Sequence, residues 1–127
     1  MLPFSITLKP GQPLAEQVIF AVKKAVVTGQ LKPGQPFPSV RVISQELRIN
    51  PNTAHKVAAA LVAEGVLVTT PAVGSVVADR MPGDRAGRAE LLSRDLESLA
   101  VEAKQLGLTL EEVQTGLGVQ WRKLGRK

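Results

Sequence analysis

The sequence predicts a mainly α-helical fold that contains one small β-hairpin. Apolar residues recur at helical spacing in most of the chain, which indicates amphipathic helices. Two short β-type runs, 66–70 and 75–78, are joined by a Pro-Ala-Val-Gly loop, and this arrangement is typical of a hairpin. With 127 residues the chain is long enough to bury a modest core without a disulfide or a metal.

The first third of the chain predicts a short β-type run followed by a helix. The run is FSITL, residues 4–8, and Lys-Pro-Gly closes it. Pro13 fits the first turn of a helix because its missing N–H has no intrahelical partner there. The apolar stripe of this helix consists of Leu14, Val18, Val22 and Ala25. Gly29 ends the helix.

Two more helices are predicted on either side of a tight turn. Residues 31–39 hold three prolines and a glycine and form a stiff connection. Ser39 is the predicted cap of a short helix over 40–48. Asn50 is the predicted N-cap of the next helix, and Pro51 is its first residue.

The last third of the chain predicts two helices after a linker at 80–84. Leu92, Leu96, Leu99, Ala103 and Leu106 step by 4, 3, 4 and 3 residues, as in a heptad seam. Thr109 and Glu112 form a predicted capping box for the final helix. We therefore expect an N-terminal domain over 1–79 and a short two-helix region over 85–127.

The charge predicts an anionic partner. The formal net charge is +5 and the pI is about 10.0. Residues 1–80 carry eight basic and four acidic residues, whereas residues 81–127 carry eight and seven. Nucleic acid is the first expectation and a membrane surface the second. Four cations lie within the last six residues, Arg122, Lys123, Arg126 and Lys127, and either contact phosphates or are solvated.

The chain contains no cysteine, which excludes disulfides and thiolate chemistry and fits a reducing compartment. The N-terminus lacks the basic and apolar regions of a signal peptide. No stretch approaches the roughly 20 apolar residues that span a bilayer. We predict a cytoplasmic, nucleoid-associated protein without a membrane partner.

The predicted order is helix, short helix, tight turn, helix and hairpin, which is the order of a winged helix-turn-helix. The second helix of that motif lies in the DNA major groove, and its N-terminus favours phosphate. We predict DNA contacts from Asn50, Asn52, Thr53, His55 and Lys56. Asparagine can pair with adenine, and threonine suits phosphate or a thymine methyl. The alternative is that Asn50 and Thr53 only cap and fill the first turn.

Residues 31–67, LKPGQPFPSVRVISQELRINPNTAHKVAAALVAEGVL, resemble the GntR family of bacterial transcription regulators. The resemblance rests on GQLKPG at 29–34, PSVR at 38–41, Thr53, and LVAEG at 61–65. It covers about residues 10–78. It implies a winged helix-turn-helix that binds a double-stranded DNA operator in a sequence-specific manner.

The resemblance also implies DNA contacts from Ser39 and Arg41 at the start of the second helix. The alternative for Arg41 is a surface ion pair with Glu46 or another acidic residue. Many family members have arginine at the position of Pro51, and a basic residue at that of His55. The Asn-Pro-Asn-Thr variant is similar to the YtrA subgroup, whose short C-terminal part and role in repression are implied here too.

The wing departs from the family pattern, which is basic-x-Gly-x-Gly-Thr-Phe-Val. Residues 70–77 keep one glycine and carry no basic residue. Minor-groove contact by a wing cation is therefore not expected. We predict contacts from Thr70, Ser75 and the Gly74 backbone instead.

The C-terminal helices predict a dimer. An isolated pair of short helices would leave apolar surface in water, which a second copy would cover. The predicted interface comprises Leu92, Leu96, Leu99, Ala103, Leu106, Leu110, Val113, Leu117 and Trp121. A homodimer also matches the symmetry of a palindromic operator. The alternative is that the stripe packs only within one chain.

The sequence argues against an enzyme. His55 is the single histidine, cysteine and tyrosine are absent, and no Gly-x-Ser-x-Gly motif occurs. One histidine and scattered carboxylates form no metal site, so we expect neither a metal nor another cofactor. Nothing identifies a small-molecule effector. The competing hypothesis is a winged-helix module for protein association.

Overall fold

A computed structural model describes residues 2–79 and 85–125. These residues fall into two compact units, one within Met1–Met81 and the other within Pro82–Lys127, called here the N-terminal and C-terminal units. The predicted linker at 80–84 and the last two cations, Arg126 and Lys127, lie outside the described residues. The predicted domain boundaries therefore stay a prediction.

Helix α1 spans Leu14–Thr28 and provides one side of the N-terminal core. Its buried side chains are Val18, Ala21, Val22 and Ala25, at the spacing that places them on one face. Gly29 ends the helix with φ of 86°, a left-handed conformation that glycine adopts without steric cost. The sequence predicted this helix and its end correctly.

The prediction of a β-type run at 4–8 is wrong, because these residues form no strand. Within the part of the chain that the structure describes, the sheet contains two strands, and neither includes these residues. The side chains still alternate, since Phe4 is buried while Ser5 and Thr7 are exposed. The Phe4 ring stacks on Phe37 with centroids 5.9 Å apart. Apolar alternation thus predicted the buried face, but no neighbouring strand is available to hydrogen-bond the segment.

Helices α2 (Val40–Leu47) and α3 (Pro51–Ala63) form the helix-turn-helix. The core-facing residues are Ile43 on α2 and Ala54, Val57 and Leu61 on α3. Helix α2 is one residue shorter than predicted, because Arg48 leaves the helix and adopts φ of 55°. Helix α3 begins at Pro51, three residues after Arg48.

Strands β1 (Leu67–Thr70) and β2 (Gly74–Val77) form the antiparallel wing, with Leu67 opposite Val77 and Thr70 opposite Gly74. Strand β1 begins one residue later than predicted and ends as predicted, whereas β2 begins and ends one residue earlier. The stiff 31–39 connection runs along β2, where the Phe37 N–H donates to the Ser75 carbonyl at 2.9 Å. The Gly34 N–H likewise donates to the Val77 carbonyl at 2.8 Å, and the two bonds attach the wing to the connection between α1 and α2.

The C-terminal unit begins with a helical stretch formed by α4 (Arg85–Glu90), a π-helical turn (Leu91–Asp95) and α5 (Leu96–Gln105). Helix α6 spans Leu110–Lys123. The capping box is confirmed, since the Glu112 N–H donates to Thr109 Oγ1 at 3.1 Å and the Thr109 N–H to Glu112 Oε1 at 2.8 Å. The π-helical turn, which holds an extra residue per turn, interrupts the regular seam that the sequence predicted.

Candidate DNA-binding surface

The leading end of α3 is built by Asn50 and Pro51. The Asn50 backbone is extended, and its side-chain oxygen accepts the Asn52 N–H at 2.7 Å. Pro51 follows at the first helical position, where its missing N–H leaves no donor unpaired. The capping role predicted as the alternative for Asn50 is therefore present. Its side-chain amide N–H groups still face solvent, because the residue is exposed.

The predicted contact residues of α3 share one exposed face. His55 and Lys56 follow Asn52 by three and four positions, so all three lie on one side of the helix. The opposite side carries Ala54 and Val57, which are completely buried. Within the described residues, the Asn52, His55 and Lys56 side chains have no hydrogen-bond or ion-pair partner. The core thus fixes the helix and leaves three polar side chains available to a ligand.

Thr53 differs from these three residues because it is only partly exposed. It lies beside the exposed face at the first turn of α3, next to the buried Ala54. A contact from Thr53 therefore requires the nucleic acid to approach the first turn closely.

The first turn of α2 presents a second polar group. Ser39 Oγ accepts the Val42 N–H at 3.2 Å, which confirms the predicted cap and leaves the hydroxyl proton free to point outward. Arg41 is exposed, and it forms no ion pair with Glu46. Five positions separate these two residues along α2, so they face different directions. Among the residues that the structure describes, Arg41 has no acidic partner within 4.0 Å, so its guanidinium is available there.

The wing tip is stabilised by its own hydrogen bonds. The Thr70 hydroxyl donates to the Gly74 carbonyl at 3.0 Å and accepts the Val73 N–H at 3.3 Å. Its proton is therefore already engaged in the turn, while Ser75 is partly exposed. Gly74 has φ of 90° and open space where a Cβ would lie, so a ligand can approach its backbone closely. The wing contacts stay a prediction, with the backbone better placed than the Thr70 side chain.

Arg48 was not among the predicted site residues. It is exposed in the turn between α2 and α3, two residues before Asn50. A sequence signal was present, since a helix-turn-helix turn often contains glycine and this chain has arginine there.

The predicted dimer residues lie in the C-terminal unit, and most of them are exposed. Ala103 is buried and Val113 is partly buried, so these two pack within the chain. The others are exposed large apolar residues: Leu92, Leu96, Leu99, Leu106, Leu110, Leu117 and Trp121. Leu96, Leu99, Leu110 and Val113 line an apolar groove of about 310 Å³ between α5 and α6.

Residues 2–79 and 85–125 contain neither a metal-binding cluster nor a membrane-spanning helix. No group of three or more histidine or carboxylate side chains in these ranges could hold a metal ion. No helix in them has the length and apolar character required to cross a bilayer.

Comparison with known proteins gives one family and several relatives. Residues 14–77, half of the chain, match the family described as bacterial regulatory proteins, gntR family. The HTH-type transcriptional repressor YtrA of Bacillus subtilis (strain 168) is 29% identical over 106 residues, which cover 83% of this chain and 82% of YtrA.

Solved structures share the fold. The transcriptional antiterminator of Listeria monocytogenes EGD-e has a TM-score of 0.85 at 25% identity, covering 98% of this chain and 95% of its own. YtrA from Sulfolobus acidocaldarius, a GntR-family transcription factor, has a TM-score of 0.53 at 23% identity, covering 94% and 97%. The predicted resemblance to the family and to its YtrA members is confirmed.

Proposed function

Because the chain belongs to the GntR family of bacterial regulatory proteins, we propose that this DNA-binding regulator acts as a homodimeric repressor on a palindromic operator. The family comprises regulators rather than enzymes, in agreement with the sequence prediction. The observation that carries the proposal is the exposed polar face of α3, where Asn52, His55 and Lys56 stand opposite a fully buried apolar face.

Each predicted contact residue at the start of α3 has a proposed role that follows from its chemistry. Asn52 can pair with an adenine through both atoms of its amide. Lys56 supplies a point charge for a phosphate, and His55 supplies a ring N–H for a base edge. Thr53 suits a phosphate or a thymine methyl at the first turn. Asn50 keeps the helix start in place and has only its amide N–H groups left to donate.

Phosphate contacts are proposed for the flanking elements. Ser39 and Arg41 lie at the N-terminus of α2, whose partial positive charge also favours phosphate. In the wing, the proposed contacts come from the Gly74 backbone and the Ser75 hydroxyl, which carry no positive charge. The Thr70 hydroxyl mainly stabilises the turn through its hydrogen bonds. Specificity therefore depends on α3 more than on the wing.

The homodimer is proposed from the exposed apolar stripe of the C-terminal unit. The groove between α5 and α6 is bordered by Leu96, Leu99 and Leu110, whose side chains lie in solvent in a single chain. Burial of such side chains stabilises association by about 25 cal/mol for each Å² removed from water. A two-fold axis through this face would give the symmetry that a palindromic site requires.

Repression is proposed because the similar Bacillus subtilis protein is a repressor. A dimer bound at a promoter occupies DNA that polymerase must contact. The proposed site of action is the cytoplasmic nucleoid, where chromosomal DNA is accessible.

Selection of bound duplexes from a random pool tests the proposal and also returns the operator. We expect a palindrome with half-sites about 10–10.5 base pairs apart or a multiple of that spacing. The chain should sediment as a dimer, and affinity should fall steeply with salt. A folded dimer that binds no duplex at low salt would refute the proposal and favour a protein-association module.

Asn52→Ala separates base reading from general attraction. The Asn52 side chain takes no part in the cap, so the variant should fold normally. Binding to the selected operator should weaken by about 1–3 kcal/mol, with relaxed preference at one base pair. Gln12→Ala removes an exposed amide elsewhere in the same unit and is the matched control. Equal affinities for Asn52→Ala and Gln12→Ala would contradict the assignment.

A further inference from the structure

The turn between α2 and α3 contains a left-handed arginine. Arg48 has φ of 55° and ψ of 48°, and it is the one non-glycine residue with positive φ in the described ranges. This conformation brings Cβ close to the following carbonyl oxygen, so helix ends of this kind usually take glycine or asparagine. Leu47 and Ile49 on either side pack against the core, whereas Arg48 is exposed.

Arg48 continues a polar stripe along the outer face of α2. Arg41 lies in the first turn of α2 and Arg48 directly follows its last residue, so their Cα atoms are about 10 Å apart along the helix axis. The exposed Gln45 lies between them, and Ile43 is buried on the opposite side. Within the described part of the chain, neither arginine has an acidic partner within 4.0 Å.

We propose that Arg48 binds a DNA phosphate, so that α2 holds the DNA backbone with one arginine at each end. The inference rests on the proposed DNA-binding function. In a helix-turn-helix the first helix crosses the backbone, and the Arg41–Arg48 stripe follows that helix. A guanidinium can bond a phosphate through two N–H groups. Such a contact gives a reason for a strained residue three positions before the recognition helix.

Arg48→Gly in the full chain tests the proposal with two measurements. The melting temperature should rise by about 2–6 °C, because glycine removes the left-handed strain. Binding to a fluorescent random-sequence duplex should weaken about fivefold to tenfold near physiological salt. The slope of log affinity against log salt should fall by about 1, since one phosphate contact is lost.

Two further variants keep the test specific. Arg48→Lys retains the charge and should retain the salt slope of the wild type. Lys24→Gln removes an exposed cation from α1 and should leave that slope unchanged. The loss in Arg48→Gly should be equal on every duplex sequence, because a phosphate contact carries no base information.

The inference fails if Arg48→Gly binds with the wild-type slope. A lower melting temperature with an unchanged slope would show a helix-capping role and would also overturn it. A loss of slope in Arg48→Lys equal to that in Arg48→Gly would do the same, because charge would then not be the cause. If the wild type binds no duplex, the proposed function fails first and this inference fails with it.

Discussion

The two units of the chain differ in where their apolar side chains lie. Among the described residues, the N-terminal unit contains every buried apolar residue except Ala103. The C-terminal unit exposes large apolar groups along α5 and α6, including Leu106 at 76% and Trp121 at 61% exposure. Each unit contains helices that begin with a side-chain cap, α2 and α3 in one and α6 in the other, but one unit has a closed core and the other has an open apolar face. A capped helix therefore does not require that its unit has a closed apolar core.

The largest expected effect would break the open face. Leu99→Asp places a carboxylate where the proposed interface removes water, and an unpaired buried charge is very costly. We expect the dimer dissociation constant to rise about a thousandfold, equivalent to about 4 kcal/mol. Sedimentation velocity over a range of protein concentrations measures this. Val101→Asp makes the same change on α5 outside the predicted stripe, and it should leave the dimer intact. Dimers of equal stability in both variants would place the interface elsewhere.

A second effect would break the closed core. Leu61 is completely buried on α3, so Leu61→Ala should lower the free energy of unfolding by about 3 kcal/mol. Urea denaturation followed by far-UV circular dichroism measures the change. The adjacent Val62 is exposed, and Val62→Ala should change stability by less than about 0.5 kcal/mol. If the two variants were equally stable, the N-terminal unit would not depend on the core described here.

The smallest expected effect sharpens the comparison by strengthening a helix of the open unit. Gly116 lies within α6 and has nothing within 4 Å of the position of a Cβ. Gly116→Ala should therefore stabilise α6 by about 0.5–1 kcal/mol, which thermal melting can detect. Gly107 also has open space but has φ of 76°, so Gly107→Ala should destabilise the protein. Destabilisation by Gly116→Ala would show that a partner approaches the helix closely at Gly116.

Local signals predicted the starts of α3 and α6 correctly. Asn50, Pro51, Thr109 and Glu112 each satisfy or remove a backbone donor within the first turn of their own helix, so a short window contains the cause. The same reasoning placed Asn52, His55 and Lys56 on one face of α3. Their contacts with DNA remain predictions, because no intramolecular interaction tests them.

Features that depend on distant or missing partners were harder to predict. The 4–8 segment has the alternating burial of a strand, but a strand also needs a neighbouring strand to hydrogen-bond with. Among the described residues the sheet consists of β1 and β2, and neither pairs with this segment. The π-helical turn at Leu91–Asp95 has no glycine or proline to mark it. The strain at Arg48 depends on where the short α2 ends, which capping signals at its start do not determine.

The location of Trp121 has an optical consequence. It is the only tryptophan, and the chain has no tyrosine, so the near-ultraviolet fluorescence excited above the phenylalanine band comes entirely from the C-terminal unit. The indole is exposed in a single chain and would lose water on association. The Trp121 emission should shift to shorter wavelength when two copies associate, whereas unfolding of the N-terminal unit alone should not change it. The wild-type chain thus carries a built-in reporter for one of its two units.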